Sequence, residues 1–229
     1  METTVVYDFH SHTFHSDGSL SPVELIRRAI VRGYGALAIT DHVGIGNVEE
    51  VVRQVRRDCE LCRRYWDFDA IPGVELTHVP AAAIAEVARA ARRAGARVVV
   101  VHGETVVEPV EPGTNLAAVS CRDVDVLAHP GLLTPEEVRL AIEHDVFLEV
   151  SARKGHCLGN GRTVELARAA GARLLVNSDA HDPGDLLTPE FQRVVALGAG
   201  LREEELSAVL EDNPGLLLDR VRRAELGVV

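Results

Sequence analysis

The sequence predicts an α/β fold, a barrel of αβ units forming a single domain over residues 1–229. One observation is a repeated unit. "RRAIVRGYGALAITDH", "RAARRAGARVVVVHGE" and "ARAAGARLLVNSDAH" each run from an Ala/Arg-rich helical stretch through a glycine into a β-rich run that ends in a polar residue. "RLAIEHDVFLEVSARKG" is the same unit without the glycine. Such alternation implies a largely parallel sheet. A second observation is the set of seven strand candidates, Val5–Phe9, Ala36–Thr40, Ala70–Leu76, Val98–Val101, Val124–Ala128, Phe147–Val150 and Arg173–Asn177. The third is that no Pro-, Ser- or Gly-rich linker divides them, and the longest irregular stretch, Glu104 to Asn115, lies inside the alternation. An open doubly wound sheet is the competing architecture, but no G-x-G-x-x-G follows the first strand.

The helices between these strands carry their own start and stop signals. Ser21-Pro22-Val23-Glu24 places a capping serine, a proline at the first helical position and a glutamate at the third. Thr134-Pro135-Glu136-Glu137 repeats the device, and Asn47 stands as a cap before "VEEVVRQVRRDCELCRRYW". Gly33, Gly95 and Gly171 sit where helices should stop. A helical segment is expected from about residue 186 to the end.

Composition narrows the function. Hydrophobic residues make up 46%, enough for a sizeable core, and Lys plus Arg at 24 against Asp plus Glu at 35 gives a net charge of −11. A protein that grips a nucleic-acid duplex by its phosphates shows a basic face, so stable duplex binding is not expected. The start, "METTVVYDFH", has neither a basic nor an apolar leader region, and no apolar run reaches the ~18 residues of a spanning helix. A cytoplasmic protein without membrane contact is the expectation. Cys59 and Cys62 form a C-x-x-C inside a charged helical run without a second pair, which reads as buried reduced thiols.

The strand ends hold the chemistry. "DFHSHTFHSDG" follows the first strand with His10, His12 and Asp17. The second strand ends at Asp41-His42, the third at Glu75, the fourth at His102, the fifth at His129, and the seventh at Asp179 and His181. Only the sixth departs, ending in "SARKG". In a parallel barrel these ends share one face, so residues from 10 to 181 should converge there. Nitrogen and oxygen donors without thiolates suit Zn, Mn or Fe, and Mg as well. Nine ligands exceed the needs of one ion and fit two or three, with a carboxylate bridging.

With "DFHSHTFHSDG", "AITDH", "PGVEL", "VVVHGE", "LAHPG" and "NSDAH" in this order over residues 5 to 185, the chain resembles the PHP (polymerase and histidinol phosphatase) superfamily. The resemblance implies a distorted (β/α)7 TIM-like barrel. It also implies one ion on His10, His12, Asp179 and a bridging Glu75, a second on Glu75, His102 and His129, and a third on Asp17, His42 and His181. The reaction class it implies is hydrolysis of phosphoric esters by a metal-bound hydroxide, and the aromatic content of 4% with the negative charge favours a small monoester. Its rivals are a nucleotide phosphodiesterase or exonuclease, and a barrel turned binding subunit. Glu75, Asp179 and Arg153 are the expected catalytic groups. If the other strand ends hold cations, the sixth is free for the substrate's anion. Arg153 is the expected phosphate ligand there, with Lys154, His156 and His78 as further substrate contacts. His144 receives no role and His15 is read as lying beside the ligands or in solvent, while Asp8 and Asp41, each neighbouring a ligand, are expected either to orient an imidazole or to make an ordinary strand-end hydrogen bond.

Overall fold

The computed structural model describes residues 5–225. Strands β1 (Val6–Asp8), β2 (Tyr34–Ile39), β4 (Asp69–Leu76), β5 (Val98–His102), β6 (Val126–Ala128), β7 (Phe147–Ser151) and β8 (Leu174–Asn177) run parallel in that order round a nearly closed barrel. These are the seven expected strands, and a two-residue strand, β3 (His42–Val43), adds to β4. The seam between β1 and β8 closes by few backbone contacts. The Asp179 amide donates to the His10 carbonyl (3.0 Å) and the His12 amide to the Ala180 carbonyl (2.8 Å). Lower down, side chains take over: the Phe9 amide donates to Asn177 Oδ1, and the Ser178 amide to Asp8 Oδ1.

Helices α1 (Pro22–Val31), α2 (Val48–Tyr65), α3 (Ile84–Ala94), α4 (Thr114–Val119), α5 (Pro135–His144), α6 (Asn160–Ala170) and α7 (Pro189–Gly198) follow the strands. The Ser21 hydroxyl caps α1, and Thr134 and Glu137 cap α5 reciprocally. Thr188-Pro189 uses the same device at α7. Asn47 departs from expectation. Its side chain accepts from the Gly44 amide, tightening the preceding turn, and makes no cap bond to α2. Gly95 and Gly171 end α3 and α6 in the left-handed conformation. Cys59 and Cys62 lie buried on the core face of α2, and burial pushes the Cys59 thiol upward, away from thiolate reactivity.

Alternation along the strands divides the protein into two apolar layers. Leu37, Ile39, Val99, Val101, Leu127, Leu148, Val150 and Val176 face the helices. Ala36, Ala38, Ile71, Val98, Val100, Val126, Phe147 and Leu175 face the lumen. The C-terminal helix α8 (Asn213–Glu225) closes the lumen from below, inserting Leu217, Leu218 and Val221 among those lumen residues. Arg220 pairs with Asp125 and Asp145, and Arg222 with Asp69, at the strand starts, which fixes this plug in register. The expected C-terminal helical segment is thus α7, α8 and the turns between them, and residues 226–229, like 1–4, lie outside the described residues.

The plug yields a stability prediction. Leu217 is fully buried, whereas its neighbour Leu216 is 43% exposed. Leu217→Ala should lower the unfolding free energy by about 2–5 kcal/mol and Leu216→Ala by well under 1 kcal/mol, read from denaturant titrations.

Candidate metal centre

The period-two rule that fills the lower lumen with apolar side chains delivers polar ones at its upper rim. Ile71 and Gly73 lead to Glu75, and Val98 and Val100 lead to His102. Phe147 leads to Glu149 and Ser151, and Leu175 to Asn177. The short strand β3 and the loops after β1, β6 and β8 add the rest. Gly103 and Gly131 let the loops after β5 and β6 touch. A Cβ on Gly103 would stand 2.3 Å from the Ala128 carbonyl oxygen, and one on Gly131 2.1 Å from that of Glu104. That close approach brings His102 and His129 together, with ring centroids 4.4 Å apart.

All nine expected ligand residues converge on one cluster centred on Glu75, which is fully buried. Its Oε1 lies 3.3 Å from His10 Nε2 and 3.5 Å from His129 Nε2, and its Oε2 lies 2.6 Å from His42 Nδ1. Asp179 Oδ1 stands 3.3 Å from His12 Nε2 and 3.4 Å from His181 Nδ1. Asp17 Oδ1 stands 3.1 Å from His181 Nε2 and 3.4 Å from His42 Nε2. His129 and Asp179 hold positive φ angles of 26° and 52°, uncommon for residues with a side chain and characteristic of sites that aim a functional group.

These separations distinguish two kinds of contact. Donors bound at 2.0–2.2 Å to one tetrahedral ion stand about 3.3 Å from each other. A good N–H···O bond is shorter, about 2.9–3.0 Å. Most imidazole–carboxylate distances in the cluster fall at the longer value. The buried atoms His10 Nε2, both His12 nitrogens, Glu75 Oε1 and His129 Nδ1 have no hydrogen-bond partner among the described residues. Each orphaned buried polar atom costs about 1–3 kcal/mol, so their concentration in one place fits a set of donors for divalent cations. The groups His10–His12–Asp179 and His12–Asp17–His42–His181 bring their donor atoms within 4.8 Å of one another.

Protonation follows the same layout. Burial alone would push His10 down, but the carboxylates of Glu149, Asp179 and Glu75 hold it well above its usual range. His42 is likewise raised, to about 10, because Glu75 and Asp17 outweigh its burial. Burial prevails at His12 and His102, each lowered to about 4. Glu75 and Asp179 resist the upward push of burial because the imidazoles around them carry charge, chiefly His10.

One expectation requires correction. The sixth expected strand, β7, does deliver an acid: Glu149, fully buried. Its Oε2 accepts from His10 Nδ1 at 2.7 Å and from Asn177 Nδ2 at 2.9 Å, and its Oε1 from the His129 amide at 3.2 Å. The first two are hydrogen bonds by length, and the third joins a backbone N–H to the same carboxylate. They fix the His10 ring so that Nε2 faces the cluster, the carboxylate–histidine arrangement that supports a metal ligand. The signal was available in "FLEVS", where period two puts Glu149 on the same face as Phe147. Glu108, from the long loop, is a second group not anticipated, lying 3.2 Å from His102 Nε2 and 3.4 Å from His78 Nε2. No local pattern marks it.

The remaining expected residues sort by position. Asp17, His42, His78, His102, His129, Arg153, His156, Asp179 and His181 line one cavity of about 260 Å³ with Thr77 and Glu108. The Arg153 guanidinium donates to the Asp179 carbonyl at 3.3 Å and lies 3.8 Å from the Asp179 carboxylate and 3.9 Å from that of Asp185. Lys154 is exposed and lines an adjoining outer groove with Val107 and Phe191. Asp8 and Asp41 touch no imidazole through hydrogen bonds. Asp8 accepts from the His10 and Ser178 amides, and Asp41 from the Thr13 amide and hydroxyl and the Ser16 hydroxyl, which pins the loop carrying His12 and Asp17. His15 packs against Phe14 outside the cavity, and His144 Nδ1 bonds the Val119 carbonyl.

Comparison with known proteins agrees with this geometry. The PHP domain family matches residues 8–150. An uncharacterized protein of Methanocaldococcus jannaschii is 46% identical over 94% of this chain and 99% of its own length. The 5'-3' exoribonuclease Rnm of Escherichia coli is 41% identical over 75 residues, 33% of this chain and only 24% of that protein. Among solved structures, a chain of archaeal ribonuclease P with mature tRNA superposes with a TM-score of 0.68 at 15% identity, covering 95% of this chain and 93% of its own, a likeness of fold. Among the described residues no helix is long and apolar enough to cross a membrane.

Elemental analysis tests the centre directly. Purified protein should carry two or three divalent ions per chain, and chelation should lower its melting temperature, because ions held only by the folded state stabilise it.

Proposed function

The chain belongs to the PHP family, and from that premise we propose that it is a metal-dependent phosphoesterase acting on a small phosphate monoester. The observation that carries this reading is the convergence of eight imidazole and carboxylate groups around Glu75 at the carboxyl face, with one arginine across the same cavity. Divalent ions of the Zn, Mn or Fe type at such a centre lower the pKa of water and neutralise phosphoryl oxygens.

His10, His12, Asp179 and Glu75 would hold one ion, Glu75, His102 and His129 a second, and Asp17, His42 and His181 a third. Glu75 couples two of these sets through one carboxylate, so its charge cannot be replaced by an amide. Glu149 keeps the His10 lone pair directed at the cluster. Arg153, about one-third exposed at the cavity wall, presents N–H groups that can bind non-bridging phosphoryl oxygens as their charge grows in the transition state. His78 borders the same space, and Lys154 the outer groove, where the leaving group would extend. The small cavity and the −11 net charge favour a compact ester over a polynucleotide. The likeness to an exoribonuclease supports a second reading, in which the ester is a nucleotide whose base occupies the groove beside Phe191.

A screen of metal-loaded protein over sugar phosphates, histidinol phosphate, mononucleotides and phosphodiesters decides between the two, and no hydrolysis of any of them with Mn or Zn refutes both. Arg153→Ala should preserve metal content and lower kcat/KM roughly 100-fold, about 3 kcal/mol, with Lys154→Ala much milder. Wild-type efficiency in Arg153→Ala would leave phosphate binding to the ions alone. Glu75→Gln should reduce turnover by orders of magnitude more than His15→Ala, and equal behaviour of the two would remove the bridging role.

A further inference from the structure

We infer that the second ion set is larger than the family pattern implies, with His156 and Glu108 joining His102 and His129 as metal ligands. This rests on the metal-dependent reading above. His156 opens a short turn after β7, is 7% exposed, and faces His129 with ring centroids 4.3 Å apart. One ring nitrogen from each of His102, His129 and His156 falls within a 4.8 Å group, as close as the donors of the other sets.

The donor spacings carry the inference further. Glu108 Oε1 lies 3.4 Å from His156 Nε2, and Glu108 Oε2 3.2 Å from His102 Nε2. Both suit neighbouring donors held about 2.0–2.2 Å from one ion and exceed the length of a good charge-assisted hydrogen bond, about 2.7–2.9 Å. The His156 ring thus presents Nε2 toward Glu108, and its Nδ1 has no hydrogen-bond partner among the described residues. The backbone brings these groups together by construction. The Glu104 carboxylate accepts from the Gly113 and Asn115 amides, closing the base of the Glu108 loop. At its tip the Val107 side chain lies over Gly155, where a Cβ would be 3.4 Å from Val107 Cγ1. The loop bearing Glu108 and the turn bearing His156 therefore arrive as one unit.

Three imidazoles with two carboxylates make this the most fully liganded of the ion sets, so its ion should be the last to leave. The test is metal content, measured by elemental mass spectrometry after dialysis against graded chelator, and the visible spectrum of the Co(II)-loaded protein. Wild-type protein and His15→Ala should retain one ion at chelator levels that strip the others. His156→Gln and Glu108→Gln should each lose that ion at tenfold or more lower chelator and alter the Co(II) absorption. Equal melting temperatures of the metal-free variants and metal-free wild type would establish that the fold is intact. Unchanged retention and unchanged Co(II) spectra in both variants overturn the inference and return His156 to substrate binding. A wild-type protein that binds no ion at all overturns instead the metal-dependent reading beneath it.

Discussion

A carboxylate buried at the rim of a barrel is the constraint on which the rest depends. Glu75 has no contact with solvent, and a buried charge costs several kcal/mol unless its surroundings repay it. What surrounds it is imidazole: His10, His12, His42 and His129, all within 4 Å of its oxygens. Without cations these rings can answer the charge only by taking protons, and they do so unevenly, His10 and His42 upward and His12 downward. A cluster divided in this way is one where cations displace protons, and metal affinity then rises with pH.

The barrel makes that cluster possible by separating its lumen into two zones. Below, Phe147, Val98, Val100 and Leu175 pack against Leu217 and Val221 of α8, so no water reaches the cluster from beneath. Above, the same strand faces continue as Glu149, His102 and Asn177. The transition occurs within one strand period, about 7 Å of chain. Glu149 stands at this boundary, and its bonds to His10, Asn177 and the His129 amide link β1, β6, β7 and β8. The strained backbone at His129 and Asp179 is held by amide bonds of this kind, the His129 amide to Glu149 and the Asp179 amide to the His10 carbonyl.

Much of this was legible in sequence because it is written in local period. Strands show as β-rich runs, their ends as polar residues, and helix starts as Ser-Pro or Thr-Pro followed by glutamate. All nine expected ligands reach the cluster, since each belongs to a strand end and the parallel topology determines where strand ends go. Glu149 is less legible because it lies not at the end of its strand but at an inward position two residues before Ser151. Glu108 was not legible. It lies in a loop whose path depends on the Glu104 carboxylate capturing two amides nine and eleven residues away. Asn47 shows the opposite failure, a correct residue type whose side chain served the neighbouring turn instead of the helix.

Charge explains how an acidic protein can be suited to an acidic substrate. Part of the acidic excess is buried, in Asp8, Asp41, Glu75, Asp125, Glu149 and Asp179, and the charge exposed at the surface is screened by salt within about 8–10 Å. The cavity is governed by what is near. Asp179 and Asp185 hold Arg153 loosely, at 3.8 and 3.9 Å, with a single long bond to a carbonyl. With the Asp179 carboxylate given to a divalent ion, its hold on the guanidinium would weaken. Its N–H groups then have an incoming anion as the better partner. The two ranges therefore act separately: the overall negative charge opposes an extended polyanion, whereas Arg153 and the imidazoles around the cavity set its local field.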